Sequence, residues 1–234
     1  MIKKRTAVWL LLIVLIGVGI YLVWSGRLRL PGTYSAEDFG IETVKSRMDF
    51  DGDGVDDYTD ILHGARRDAE NMPAYKSAYY EGGYPPEDEG VCTDLIWRAL
   101  AYAGYNMKAL VDEDVAENTS AYPRVNGNPD PNIDFRRVAN LKIFFERNCT
   151  CLTLDTNDID KWQPGDIVTY GTNHIGVVSD KRDPSGVPYI LHNTGQPIRE
   201  EDMLAQPSVS GHFRFDIDLD HFMAQPAPPE WKSG

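Results

Sequence analysis

The sequence predicts an α+β fold, with N-terminal helices packed on a small antiparallel sheet and one transmembrane helix ahead of them. Three observations predict it. Apolar residues recur at helical spacing in the first half of the body, at Ile61, Leu62, Ala65 and Ala69 and again at Leu95, Ile96, Ala99, Leu100 and Ala103. The second half holds short β-branched runs broken by turn signals, "GDIVTY", "HIGVVSD" and "YILHN". Helices first and strands later is the α+β order. At the N-terminus, "KKR" precedes residues 6–24, which are 19 residues without a charge. At about 1.5 Å per residue that stretch can cross the apolar core of a bilayer.

Taken in chain order, residues 1–5 form a basic N-terminus and residues 6–24 a signal anchor. The positive-inside rule then puts Lys3, Lys4 and Arg5 in the cytoplasm and makes the chain a single-pass cell membrane protein with its body outside. Arg27 and Arg29 oppose that orientation, but the run before the span is denser. A cleaved signal peptide is the alternative, although no A-x-A cleavage site or lipobox cysteine is evident. Residues 25–48 read as a stalk, residues 49–60 as an acidic loop and residues 59–221 as the main domain. Within it, residues 92–103 form a helix closed by Gly104, residues 112–132 are loop-like, and residues 134–147 form a helix on Val138, Leu141, Phe144 and Phe145. The three β-branched runs read as sequential antiparallel strands, with "GHFRFDI" as a fourth. Residues 222–234 read as a loose tail.

Charge narrows the partners. The first 30 residues hold five of the 23 basic residues and no acid, so the remainder carries 18 basic against 36 acidic residues, a formal charge of −18. Such a body is a poor polyanion binder, which argues against nucleic acid. It suits solubility, divalent cations or a cationic partner. The stretch "DFDGDGVDDYTD" fits a calcium-loop template: Asp49, Asp51 and Asp53 at positions 1, 3 and 5, Gly54 at 6, the Val55 carbonyl at 7, Asp57 at 9 and Asp60 at 12. One structural calcium ion is expected there, and no organic cofactor. Position 12 is Asp where the template has Glu, and no full helix precedes the loop. A solvated acidic turn is the bland reading.

The three cysteines raise a separate question. Cys149 and Cys151 are too close for an easy mutual bridge, and no second pair frames a zinc site. Cys92 opens a helix, where free N–H groups favour a thiolate, but Glu87, Asp88, Glu89 and Asp94 oppose it. A packing residue, half of a disulfide and a nucleophile all remain open. A nucleophile here needs a paired base. His174 starts one strand and His192 ends the next, so antiparallel neighbours would bring the two to one sheet edge. Cys92, His174 and His192 then form a candidate nucleophile, base and orienting residue.

These residues resemble the NlpC-like branch of the papain-fold cysteine peptidases, which hydrolyse cell walls. The likeness is carried by "YYEGGYPPEDEGVCTDLI", "WQPGDIVTY", "HIGVVSD" and "ILHN". It implies a papain-like fold with Cys92 as nucleophile, His174 as general base and His192 as the residue that orients it. It puts Tyr79 near the active site, with Asp94 and Asn193 beside the cleft. From about residue 59 to 216 the chain is more closely similar to the bacterial YijF-like domain of unknown function. "PDPNIDFRRVANLKIFF", "HNTGQ" and "GHFRF" add to that likeness. The sequence departs from the peptidase pattern at Val91, Thr93, Asp94 and Glu81, positions that shape the substrate cleft. In "NIDFRRV", Asp134, Arg136 and Arg137 offer a second substrate contact, since paired arginines can hold a carboxylate, although a solvated helix face reads equally well.

The expected function is therefore a membrane-anchored extracellular cysteine hydrolase, an amidase or peptidase acting on cell-wall peptides. A non-catalytic module that binds a wall peptide or a partner protein is the second reading. A hydrolase of esters or lipids with the same chemistry is the third.

Overall fold

A computed structural model describes residues 34–204, 208–223 and 227, together with Val14, 16–18 and Tyr21. The expected transmembrane helix is corrected first. No helix among the described residues is long and apolar enough to cross a membrane. A span needs about 20 apolar residues in one continuous helix, and only five residues of 6–24 are described. The single-pass placement with an extracellular body, which rested on that helix, falls with it. The rest of 6–24 lies outside the described residues.

The core pairs helices with a twisted sheet. Helix α1 (Asp57–Asn71) starts after Asp56, whose carboxylate accepts from the Ser46 N–H and the Thr59 hydroxyl. Its apolar stripe of Ile61, Leu62, Ala65 and Ala69 is buried. Gly64 lets α1 approach its neighbour α2 (Cys92–Tyr102), since a Cβ there would lie 2.5 Å from Tyr102 Cβ. Two short strands, β1 (Ala74–Tyr75) and β2 (Glu89–Gly90), pair in parallel just ahead of α2. Helix α3 (Met107–Glu117) fills part of the stretch expected as loop, capped by the Asn106 side chain on the Ala109 N–H. The helix expected over residues 134–147 is two pieces: a single 3-10 turn, Asp134–Arg136, and helix α4 (Val138–Asn148). Arg137 between them is extended, at φ −109° and ψ 117°.

Six strands form the main sheet: β3 (Thr150–Cys151), β4 (Ile167–Tyr170), β5 (His174–Arg182), β6 (Pro188–Leu191), β7 (Glu200–Glu201) and β8 (Val209–Arg214). Their order is β3-β8-β4-β5-β6-β7, antiparallel throughout. Both faces are covered. Ile167, Ile175, Val177, Leu191 and Phe213 meet the helices, while Val168, Tyr170, Val178 and Ile190 pack with Trp162 and Leu204 on the other face. This alternation is the period-2 geometry of a strand. His212 is buried in stacked contact with Trp162, 3.7 Å between ring centroids, and bonds Asp166 and the Thr153 carbonyl.

The segment expected as a stalk is part of this body from Tyr34 onward. Tyr34 bridges to Arg182, and Val44 donates to Gln163. Where the tail was expected, Phe222 packs on Phe144 and the Ala227 N–H donates to the Gly104 carbonyl.

Candidate active site

Cys92 sits where the β1–β2 pair feeds into α2. Asp94, at the third helical position, accepts from the Val91 N–H at 2.7 Å and so holds the helix entrance. Cys92 is 5% exposed. Burial pushes it up to about 11, while the backbone N–H groups of Ile175 and Thr93 pull the other way. The Ile175 contact sets the thiol one residue from His174.

Strand pairing brings the two histidines together. Val177 lies opposite Leu191 and Val178 opposite Ile190, a register that continues to Gly176 opposite His192. Gly176 is bare for a reason: a Cβ there would stand 2.6 Å from Ile190 Cγ2 and 3.2 Å from His192 Cβ. His174 is on the same face two residues earlier, and its Nε2 lies 3.0 Å from His192 Nδ1. The rings meet edge to face at 83°. Nδ1 of His174 takes no part in that bond. Burial, and then His192, holds His174 down to about 4; burial, and then Arg199, holds His192 down to about 4. Both rings are neutral at pH 7, and so is the thiol. The arrangement fits general-base removal of the thiol proton by a neutral imidazole, without a standing thiolate–imidazolium pair.

The histidine shifts carry a stability consequence. The unfolded chain binds these two protons near pH 6.5, the folded one only near 4. Folding stability is therefore lost as pH falls through that window, by up to about 1.4 kcal/mol per pH unit for each histidine. Burial raises Asp57, Asp68 and Asp112, which acts in the opposite direction. Comparison with a variant separates the two. A His192→Gln protein should lose less of its melting temperature than wild type between pH 7 and 4.5.

The other expected site residues divide. Tyr79 is 60% exposed and its hydroxyl is held by Asp130 and Asn132. Tyr75 is the tyrosine near the nucleophile: its hydroxyl is raised by partial burial first and then by the charges of Cys92 and Asp94. Asp94 and Arg136 face each other inside the protein. Arg136 Nε and Nη2 donate to the Asp94 carboxylate at 2.7 and 2.9 Å, and Nη1 donates to the Ala78 carbonyl at 2.9 Å. Arg137 pairs with Asp134 at 2.9 Å, and Asp134 also accepts from the Asp130 N–H. Asp94, Asp134, Arg136 and Arg137, expected to contact substrate, form two ion pairs with one another, Asp94–Arg136 and Asp134–Arg137. Asn193 is buried between the Gly90 carbonyl, the Gly195 N–H and Arg199, a structural position.

Two further residues reach His192. Glu201 Oε1 lies 3.2 Å from its Nε2, and Gln196 Nε2 lies 3.1 Å from its Nδ1. Neither carries a signal in the sequence, since each joins the site only through the turn that follows β6. A cleft of about 450 Å³ lined by Asp68, Tyr84, Trp97, Arg98 and Tyr102 opens on α1 and α2, and neither Cys92 nor a histidine lines it.

The acidic loop brings part of its carboxylates together. Carboxylate oxygens of Asp49, Asp51 and Asp53 lie within 4.8 Å of one another. Asp49 accepts from the N–H groups of Asp53 and Gly54, and the sharp turn places Gly54 at φ +93°. Asp57 faces elsewhere, accepting from the Phe50 N–H at 2.8 Å and the Tyr105 hydroxyl at 2.5 Å. Asp60 is buried in α1, and Val55 donates its N–H to Asp53. Three of the expected donors thus converge, and the Asp57 carboxylate is committed to protein groups.

Residues 62–215 match the family described as "Domain of unknown function (DUF1287)". The chain is 41% identical over 151 residues to the uncharacterized protein YijF of Escherichia coli (strain K12), a match over 62% of this chain and 73% of that relative. No solved structure matches it. The family match runs from the first turns of α1 to just past β8, and so takes in Cys92, both histidines, Tyr75 and Glu201. The chain belongs to the DUF1287 family.

Proposed function

We propose that this protein is a cysteine hydrolase of amide bonds, built on an NlpC-like arrangement of Cys92, His174 and His192. The observation that carries the reading is the 3.0 Å bond from His174 Nε2 to His192 Nδ1, beside a helix opened by a cysteine whose thiol meets the Ile175 N–H. In this reaction Cys92 Sγ bonds to the carbonyl carbon while its proton passes to His174 Nδ1. The C–N bond then breaks, and the leaving amine takes that proton from His174. Water cleaves the thioester, releasing a carboxylic acid and the free thiol. The Cys92 backbone N–H and the Tyr75 hydroxyl are the donors best placed for the oxyanion. Peptide stems of the bacterial wall are the proposed substrates, on the residue resemblance.

The test is alkylation of Cys92 by iodoacetamide against pH, in the full chain with Cys149 and Cys151 changed to serine. Base assistance predicts a rate that rises as His174 loses its proton near pH 4, then holds through neutrality. In His174→Ala, reaction should wait for ionisation of the buried thiol near 11. Identical profiles would mean that Cys92 is packing, and a binding module would be the better reading.

Calcium belongs to the proposal through the convergence of Asp49, Asp51 and Asp53. At a hundredfold excess over Kd, a ligand that binds only the folded state adds about 2.7 kcal/mol, or about 5–10 °C in a domain of this size. Calcium should raise the melting temperature of EDTA-treated protein by that much, and Asp51→Asn should remove the rise. A melting temperature indifferent to calcium ends the idea.

A further inference from the structure

Two side chains reach His192: at Nε2 they make opposite demands, while at Nδ1 the Gln196 amide suits the form that Glu201 favours. Glu201 is a carboxylate, so it can only accept, and at 3.2 Å from Nε2 it calls for a proton there. Gln196 is the rival. Its amide oxygen accepts from the Thr194 N–H at 2.7 Å and hydroxyl at 2.9 Å, which turns its NH2 group toward the ring. That NH2 lies 3.1 Å from Nδ1 and 3.2 Å from Nε2 of His192. A bond to Nε2 would need a lone pair on that nitrogen and hence the proton on Nδ1.

The choice is passed on to His174. With the proton on His192 Nε2, the Nδ1 lone pair accepts from His174 Nε2–H, and the lone pair of His174 falls on Nδ1, the nitrogen that the proposed reaction uses. With the proton on His192 Nδ1, that N–H donates to His174 Nε2, and the proton of a neutral His174 sits on Nδ1. A base protonated on that nitrogen cannot take the thiol proton. We propose that Glu201 is a positioning residue that fixes His192 in its Nε2–H form and so leaves His174 able to accept the proton of Cys92.

The location of Glu201 suits this role. It ends the two-residue strand β7, pairs through its backbone with Ile190 on β6, and is 39% exposed at its side chain. Its carboxylate can be changed without opening the core. The other groups around the pair are His174 on β5, Gln196 and Arg199 on the turn after β6, and Tyr75 and Cys92 from β1 and α2. Asp94, the carboxylate beside Tyr75 and Cys92, is bound by Val91, Trp97 and Arg136, which leaves Glu201 as the carboxylate at His192.

The inference rests on the Cys92–His174 reading, and the experiment separates the two. Alkylation of Cys92 against pH would be compared in wild type, Glu201→Ala, Glu201→Gln and His174→Ala, all as full chains with Cys149 and Cys151 changed to serine. The His192 tautomer would be read in the same proteins by 15N NMR at pH 7. Glu201→Ala should lower the neutral-pH rate about tenfold or more, part of the roughly 10²- to 10⁴-fold that a positioned base supplies. It should also move the His192 proton to Nδ1. Glu201→Gln keeps an accepting oxygen and should keep most of the rate and the Nε2–H form. If wild type depends on His174 but Glu201→Ala changes neither rate nor tautomer, Glu201 has no positioning role and the hydrolase reading stands. If His174→Ala matches wild type, the hydrolase reading fails. Glu201 control of the tautomer is then judged by the NMR signal alone, and an unmoved proton overturns it.

Discussion

Replacing Asp94 with alanine should lower the unfolding free energy by about 3–5 kcal/mol, the cost of stranding a buried charge. Asp94 is fully buried and accepts four hydrogen bonds: from the Val91 N–H at 2.7 Å, Trp97 Nε1 at 2.9 Å, and Arg136 Nε and Nη2 at 2.7 and 2.9 Å. Alanine would leave the Arg136 guanidinium buried, with only the Ala78 carbonyl and the Tyr80 ring near it. It would also free the N–H at the entrance to α2. Against a typical total of about 5–15 kcal/mol, that loss is about a fifth or more. Asp94→Asn keeps the shape and two accepting lone pairs but not the charge, so its loss should be smaller. Urea unfolding followed by circular dichroism measures both. The same m-value with a lower midpoint would mark a change in stability rather than in compactness. A loss below 1 kcal/mol for the alanine variant would show that Arg136 finds water, and that the pair is not the anchor of the Cys92 helix.

Asp94 also shows where sequence reading succeeds and stops. Its role as a substrate contact was inferred from its place beside Cys92, but the partner that claims it is 42 residues away. Arg136 reaches it because the chain makes a single 3-10 turn before α4, and nothing in the apolar spacing of Val138, Leu141, Phe144 and Phe145 announces that break. Helix α3 was within reach of the pattern. Met107, Leu110, Val111 and Val115 follow helical spacing and are buried, but Asp112, Glu113 and Asp114 among them read as loop. Strands β3 and β7 have two residues each, too few for any alternation, and exist because β8 and β6 offer them edges. The charge-free run at residues 6–24 satisfied a length rule, yet the described residues hold no helix long enough to cross a bilayer. For the site, residue type and strand order were enough to pair His174 with His192. Tyr75, Gln196 and Glu201 were not legible, because their roles depend on distances set by turns.

Cys92→Ala should abolish any hydrolysis of wall peptides, and His174→Ala should reduce it by about 10²- to 10⁴-fold. The difference between the two is chemical. Without the sulfur no acyl-enzyme forms. Without His174 the thiol still ionises in part, but burial holds it up to about 11, so at pH 7 about one molecule in 10⁴ is thiolate. That fraction places the expected loss at the deep end of the range. It also predicts that the His174→Ala rate climbs about tenfold per pH unit from pH 7 to 10, while wild type stays flat. The flat profile follows from the base itself: His174 is already unprotonated above about 4. Release of peptide fragments from purified cell wall, quantified by mass spectrometry at pH 6 to 10, would read both profiles. A wild-type rate that rises with hydroxide as steeply as the variant's would mean the thiol reacts alone, and the 3.0 Å contact of the two rings would then be packing at a sheet edge.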